Sequence, residues 1–464
     1  MQPDSACAPG ARQPRTVAPG PRGHWLTGSL ADFRRDSIGL LARSAQQHGD
    51  LVRFRFAHVV VHLANHPDLI RHVLVTESHN FDKATRSVAK IRAVCGDSLL
   101  TSDGEAWLAQ RRLLQPAFQL NQLRNLPPLI AAATGEMLQQ WRVSAGKDQP
   151  IDVVAEMMHV VYRISARSFF GVQTESDANV VEQALAVVLD HTWLRLERLI
   201  DWGAICPWLA GRNFRAAIRD FDQVVYRIVS ARQGSQATQH DLLSHLLRAD
   251  CAGSTPILTA RQLRDHILTM LLTGHETTAN LLAWALVLSS LHPEMDERLM
   301  ETAAVEAPSG AQSEAVAGCD SFLNRMLKET LRLFPSIWII ERRVRADDAL
   351  AGYRLPAHST VVISPYVLHR HPAFWDDPDR FDPDRFLRVP EADQFDHAYM
   401  PFGAGPHQCV GQHMATIIAG SVLRQVLSAC RLRPAGPVNL SPQPGITLRH
   451  RQPQWMSVEF REAR

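Results

Sequence analysis

Phe402-Gly403-Ala404-Gly405-Pro406-His407-Gln408-Cys409-Val410-Gly411, close to the C-terminus, is the stretch from which the rest of the chain is read. Three glycines and a proline in ten residues force a tight, open loop. Cys409 sits where that loop gives way to an apolar helical pattern running from Val410 to about Leu427. A thiol at a helix N-terminus faces free backbone N–H groups and the positive end of the dipole, and both favour the thiolate. Such a thiolate can ligate iron, and Gly405 and Gly411 would let the backbone lie flat against a macrocycle. Two other readings stand beside this one. Cys409 could be a structural cysteine in a glycine-rich turn, or one of three zinc ligands with His407 and His413. No Cys-x-x-Cys pair exists elsewhere to close a tetrahedron. His58, His62 and His66 recur every four residues, but strand residues so spaced lie roughly 13 Å apart, too far to share an ion.

Hydrophobic residues make up 45% of the 464 and charged residues 21%, so a large core is feasible and wholesale disorder is excluded. A formal net charge of +2 is neutral on nucleic acid as a partner, and the lack of an aromatic-interleaved basic patch argues against it. The seven cysteines are odd in number and scattered, which points to a reducing compartment and not to a disulfide framework. Residues 1–23 are rich in Pro, Gly, Ala and Arg and read as a disordered leader. They hold no apolar run that would serve as a signal peptide or membrane span. A cytoplasmic protein without a membrane span is expected.

Ser29 to Gly49 is helical in pattern, and strands follow at Asp50–Phe56 and Val59–Leu63. Pro67 opens a further helix, whereas Ser78 to Asp103 looks irregular and is a candidate substrate loop. From Glu105 the pattern is helical to about Val305, with breaks at 146–150, 171–176, 203–213, 233–239 and 253–256. Thr259-Ala-Arg-Gln262 has the form of a capping box, and its helix should run unbroken to Leu291. Leu281 to Leu291 is apolar on most faces, so that helix is central. Another helix from about Ser321 ends at Pro335. Short strands at Ile337–Val344 and Thr360–Ile363 follow, then a Pro/Asp-rich meander from His371 to about Asp396 and a closing strand at Ser457–Glu459. No linker divides the body, so residues 24–464 form one large, mainly α domain with small sheets.

Glu329 and Arg332 stand at i, i+3 and Trp107 and Arg111 at i, i+4, so each pair shares a helix face. Taken singly, they would be a surface ion pair worth a few tenths of a kcal/mol and a surface base. Gly274 lies inside the long helix, where glycine costs about 1 kcal/mol and needs a reason. Beside it run His275, Glu276, Thr277 and Thr278, an acid and hydroxyls that could also be a polar patch between core helices.

Together these motifs resemble the cytochrome P450 family. Phe402-x-x-Gly405-x-His407-x-Cys409-x-Gly411 is similar to its haem-binding signature, with His407 where Arg is usual. Glu329-x-x-Arg332 before Leu-Phe-Pro335 resembles its K-helix motif. Pro383-Asp384-Arg385-Phe386 resembles its meander motif, with Asp for the usual Glu. Thr273-Gly274-His275-Glu276-Thr277-Thr278 resembles its oxygen-activation segment, with Thr273 where Ala or Gly is usual. The matched motifs, in family order, cover the chain from about Trp107 to Gly411.

The resemblance implies the P450 fold and a haem b cofactor ligated by Cys409. Trp107, Arg111, Arg343 and His407 would bind the propionates, and Phe402, Gly405 and Gly411 would complete the haem site. It implies Glu276 and Thr277 as the proton relay, with His275 facing away, and Glu329, Arg332 and Arg385 as a buried structural triad. Pocket walls by position are residues 88–100, Met270, Thr273, Gly274, Ile337, Trp338, Ile339, Ile446 and Thr447. They are mostly apolar, so a bulky lipophilic substrate such as a terpenoid, polyketide or macrolide is expected. The implied reaction inserts one atom of O2 as a hydroxyl or epoxide. No redox module is fused, so electrons would come from a ferredoxin and its reductase, near Arg112 and Arg424, to a monomeric enzyme. Alternatives are a peroxide-driven or O2-independent relative, or a haem sensor. The intact Glu276-Thr277 pair speaks against them.

Overall fold

The computed structural model describes residues 17–171, 212–233, 241–251, 258–295, 297–299, 321–388 and 397–462, with a few helical positions between 180 and 192. The expected leader over 1–16, the breaks at 203–211, 234–239 and 253–256, helical residues 300–305 and the meander's end at 389–396 lie outside them.

Besides the single turn Pro365–Leu368, the described α-helices include α1 (Leu30–Arg35), α2 (Ser37–His48), α3 (Pro67–Arg71), α4 (Arg86–Cys95), α5 (Gly104–Leu114), α6 (Leu126–Ala145), α7 (Val153–Phe170), α8 (Arg212–Gln233), α9 (Leu242–Cys251), α10 (Ala260–Leu291), α11 (Phe322–Leu333) and α12 (Gln412–Ala429). The capping box that starts α10 is present: Gln262 N–H donates to Thr259 Oγ1 at 3.2 Å, and Thr259 N–H donates to Gln262 Oε1 at 2.9 Å. Its 32 residues span roughly 48 Å. Residues 281–289 are buried on every face, so α10 is the axis of the core and packs on α7, α12 and α11. A side chain at Gly274 would meet Phe169 of α7 at 3.1 Å, so close helix packing supplies the reason for that glycine.

The main sheet has the order β1-β2-β8-β5-β3, built from Leu51–Phe56, Val59–Ala64, Thr360–Ile363, Ile340–Val344 and Phe81–Asp82. Among the described residues, only β2 and β8 pair in parallel. Two hairpins, β6–β7 (Asp348–Leu350, Tyr353–Leu355) and β10–β11 (Pro442–Pro444, Leu448–His450), stand apart from it. A third sheet sets β12 (Trp455–Phe460) between β4 (Ile151–Asp152) and β9 (Cys430–Pro434).

Two sequence expectations are corrected here. Residues 17–23 are not a loose leader, because Arg53 N–H donates to the Pro19 carbonyl at 2.7 Å and Ala18 is buried. The supposedly irregular 78–103 contains α4, capped by Thr85 Oγ1 accepting from Val88 N–H and closed by Gly96 at φ +60°.

Candidate active site

A cavity of about 1080 Å³ lies between the cysteine loop on one side and the middle of α10 on the other. Phe402, His407, Cys409 and Gly411 line it, as do Trp107 and Arg111 of α5. Gly405 does not. It holds φ +69°, and a Cβ there would lie 2.0 Å from the Leu74 carbonyl oxygen, so backbone packing demands the glycine. Cys409 N–H donates to the Phe402 carbonyl at 3.0 Å, which closes the loop on itself. Helix α12 begins only at Gln412, two residues beyond the position the sequence suggested, so Cys409 precedes its first turn. Burial pushes the thiol above its ordinary range, and the Gly411 amide and Arg111 charge only partly oppose this.

Along one rim of the cavity, positive charge gathers. Lys83, Arg111, Arg342 and His407 stand there with Asp103 as their acidic neighbour. Burial first, then the Arg342 charge, lowers Lys83 to about 7. His407 falls to about 3 through burial and then through Lys83 and Arg342. Arg342 and Arg111 are lowered by burial. The cations Lys83, Arg111 and Arg342, with the imidazole of His407 beside them and Asp103 as their acidic neighbour, fit a ligand that brings two carboxylates, as a haem does. Trp107 packs its ring 4.0 Å from that of His407, and Lys83 lies 5.7 Å over the Trp107 ring. Arg111 donates to the Gln408 carbonyl at 2.8 Å, binding α5 to the cysteine loop.

Arg343 is a correction. It leaves the cavity and pairs with Asp82 of β3 at 2.6 Å, whereas its neighbour Arg342 lines the wall. The sides of a strand alternate, so a one-residue difference in register exchanges the two roles. Lys83 was missed as well. It is 9% exposed and donates to the Leu99 carbonyl at 3.1 Å. Only its place in Phe-Asp-Lys, just before α4, hinted at it.

Opposite the cysteine, Met270, Thr273, Gly274, Glu276 and Thr277 of α10 face the cavity. The Thr277 hydroxyl donates to the Thr273 carbonyl and the Thr273 hydroxyl to the Thr269 carbonyl, each at 2.8 Å. Ser336 Oγ donates to the Thr277 carbonyl at 2.7 Å. Hydroxyls thus bond carbonyls one turn apart on the face of the helix that lines the cavity. Glu276 Oε1 accepts from Thr447 Oγ1 at 2.8 Å, and Glu276 Oε2 is buried without a hydrogen-bond partner among the described residues. Asn280 Nδ2 donates to Thr447 Oγ1 at 3.2 Å. His275 turns away, donating from Nδ1 to the Leu271 carbonyl and packing edge-on to Tyr162. Ile337, Trp338, Ile339, Ile446 and Thr447 complete the wall, with Trp338 Nε1 donating to the Gly445 carbonyl at 2.9 Å.

Behind the loop, Glu329 is fully buried and accepts from Arg332 at 2.7 and 2.9 Å and from Arg385 at 2.9 Å. Asp382 N–H also donates to it at 2.9 Å. Arg332 donates onward to the carbonyls of His369, Pro378 and Arg380, and Arg385 to those of Asp376, Asp377 and Arg380. Asp384 stays outside the triad and meets Arg298 and Arg325. His369, unremarked in the sequence, donates from Nδ1 to the Arg332 carbonyl and accepts at Nε2 from Met400 N–H at 3.0 Å. It thereby couples the triad to the start of the cysteine loop.

The family model described as Cytochrome P450 matches residues 18–456. The chain is 32% identical over 443 residues to cyclooctatin synthase of Streptomyces melanosporofaciens, covering 93% of each. It is 32% identical over 458 residues to cyclooctat-9-en-7-ol 5-monooxygenase of the same organism, covering 97% of this chain and 94% of the relative. With pentalenene oxygenase of Streptomyces avermitilis it shares 31% over 415 residues, 88% and 89% of the two chains. Among the described residues, no helix is long and apolar enough to cross a membrane.

Proposed function

The chain belongs to the cytochrome P450 family of haem-thiolate monooxygenases, and from that premise we propose that it hydroxylates or epoxidises a terpenoid skeleton. The observation that carries this reading is the large cavity bounded by Cys409 on one wall and by Glu276 and Thr277 on the other. Its remaining walls are mostly aliphatic, which suits a bulky hydrocarbon, and the relatives are named for oxygenation of cyclooctatin-type and pentalenene substrates.

Cys409 would ligate the iron of a haem b, and Lys83, Arg111, Arg342, His407 and Trp107, which line the same cavity, would hold its propionates. When bound, that group supplies the activation of O2. The protein's own part is to place the substrate, exclude water and manage protons. Met270, Ile337, Ile339 and Ile446 hold the apolar skeleton and keep bulk water out. Glu276, whose Oε2 has no hydrogen-bond partner among the described residues, would pass protons toward the cavity, and Thr277, whose hydroxyl is oriented by the Thr273 carbonyl, would relay them through its oxygen. The Glu329–Arg332–Arg385 triad fixes the meander and so the loop that carries the thiolate. Electrons come from a ferredoxin and its reductase at the surface near Arg112 and Arg424, and the enzyme acts as a cytoplasmic monomer.

Haem-loaded enzyme, supplied with a surrogate ferredoxin pair and labelled O2, should give a spin-state shift with cyclic terpenes and a product carrying one labelled oxygen. Label from water instead of O2, or turnover confined to added peroxide, would overturn this function.

A further inference from the structure

We infer that Ser336 is a positioning residue for the relay on α10, the point through which the wall that seats the substrate holds Thr277; the inference rests on the monooxygenase reading. Ser336 lies just beyond α11 and is buried. Its hydroxyl crosses to α10 and donates to the Thr277 carbonyl at 2.7 Å. The helix does not require this bond, because that carbonyl already has a ladder partner in the amide four residues on. What the bond adds is a fixed distance between helix and wall. It also completes a series. The Thr273 hydroxyl takes the Thr269 carbonyl and the Thr277 hydroxyl takes the Thr273 carbonyl. Four residues further on stands Leu281, which has no hydroxyl, and Ser336 serves the Thr277 carbonyl in its stead.

The seat behind this bond is built as one piece. Leu448 N–H donates to the Ser336 carbonyl at 2.8 Å and Trp338 Nε1 to the Gly445 carbonyl at 2.9 Å, so residues 336–338 and the turn between β10 and β11 are joined at both ends. Gly445 N–H donates to the Thr447 carbonyl at 2.9 Å and closes that turn, and Ser364 Oγ donates to the Trp338 carbonyl at 2.8 Å. Two hydroxyls leave this piece for α10, Ser336 to the Thr277 carbonyl and Thr447 to Glu276 Oε1. Each has an isoleucine of the cavity wall as its chain neighbour, Ile337 beside Ser336 and Ile446 beside Thr447. A skeleton pressing on the two isoleucines therefore loads both hydroxyls, and through them the acid and the alcohol together. Packed interiors have low compressibility, so such a piece transmits the load instead of absorbing it. Seating of the substrate and alignment of the relay become one event.

Hydrogen exchange and coupling, measured on haem-loaded protein, test this. Ser336→Ala should quicken amide exchange over residues 277–281 roughly two- to twelvefold, the range set by loss of one ordinary hydrogen bond. A cyclic terpene should slow exchange there in the parent and less in the variant, while shifting the spin state of both. Under turnover the variant should release more hydrogen peroxide per product. Ser336→Thr, which keeps the hydroxyl, should restore exchange and coupling alike. Exchange and peroxide yield unchanged in Ser336→Ala would overturn the assignment. So would peroxide that rises only in step with a weakened spin-state shift, since that makes Ser336 a plain substrate contact. Exchange is read without turnover, so quickened exchange in a protein lacking the thiolate-type carbon-monoxide band would fault the monooxygenase reading alone.

Discussion

The hydroxyl of Thr447 donates to Glu276 Oε1 at 2.8 Å, tying the acid of the central helix to the turn between β10 and β11. That same turn carries Ile446 into the cavity wall and presents the Gly445 carbonyl to Trp338. Whatever presses on Ile446 therefore bears on the residue that holds the acid. Thr447→Val keeps the shape but leaves Glu276 Oε1 without its buried donor, at a cost of about 1–3 kcal/mol. Denaturant titration should show that loss, and Thr447→Ser should recover most of it. Equal stability of all three proteins would show that the contact contributes nothing.

Removing charge from Glu329 strands two buried guanidinium groups at once. Glu329→Gln is expected to cost about 3–5 kcal/mol, seen as little soluble, haem-loaded protein. A normal yield and melting temperature would mean that the carbonyls around Arg332 and Arg385 suffice without the carboxylate.

The central helix could be read from sequence because local and global signals agree: a capping box at Thr259, apolar residues on every face, and a Pro at 293. The triad and the cysteine loop were legible because their motifs coincide with others along one chain in family order, although the Glu329–Arg332 spacing taken singly is an ordinary helix pair. The propionate rim was not. Glu341-Arg342-Arg343 presents two identical side chains to opposite sides, and only the pairing of β5 with β3 and β8 decides which one enters the cavity. Lys83 was hidden for a similar reason. Its carbonyl partner, Leu99, lies across α4, in a stretch whose polar composition concealed the helix. Gly405 was assigned to the cofactor, although its reason is the Leu74 carbonyl, a contact that no local pattern encodes.

Acid should destabilise the protein through buried neutral histidines. Burial lowers His62 and His266 to about 4 and His369 and His450 to about 3. Below the ordinary histidine value of about 6.5 the unfolded chain takes up protons that the folded chain refuses. Stability is then fully present above about 6.5 and falls as pH drops toward 4, by up to about 1.4 kcal/mol per unit for each histidine. His266 lacks a hydrogen-bond partner at either nitrogen among the described residues, so His266→Leu should flatten the fall without a polar penalty. Urea midpoints between pH 5 and 7 measure it. Parallel profiles for parent and variant would remove His266 from the linkage.

Cys409→Ala should abolish the strongly red-shifted Soret band that reduced, carbon-monoxide-treated protein gives with a thiolate ligand. A histidine-type spectrum in the unaltered protein would instead assign the metal to another residue.

Thr277 tests the relay itself. Its hydroxyl is held by the Thr273 carbonyl at 2.8 Å, and the Thr277 carbonyl is taken up by Ser336 at 2.7 Å. Both bonds add a side-chain donor to a backbone acceptor of the helix beside the cavity, where a water between Thr277 and Glu276 would complete the relay. Delivery of a proton by a positioned group is worth about 10²–10⁴-fold in rate. Thr277→Ala removes the hydroxyl and leaves Glu276 and its Thr447 contact in place, so substrate binding and consumption of reducing equivalents should persist. Product formed per reducing equivalent should fall and hydrogen peroxide should rise, because reduced oxygen leaves before it is protonated productively. Glu276→Gln should instead slow consumption itself, since an amide cannot pass a proton on. Unchanged coupling in Thr277→Ala would transfer the role to Thr273, whose own hydroxyl lies one turn earlier on the same face, or to a hydroxyl on the substrate.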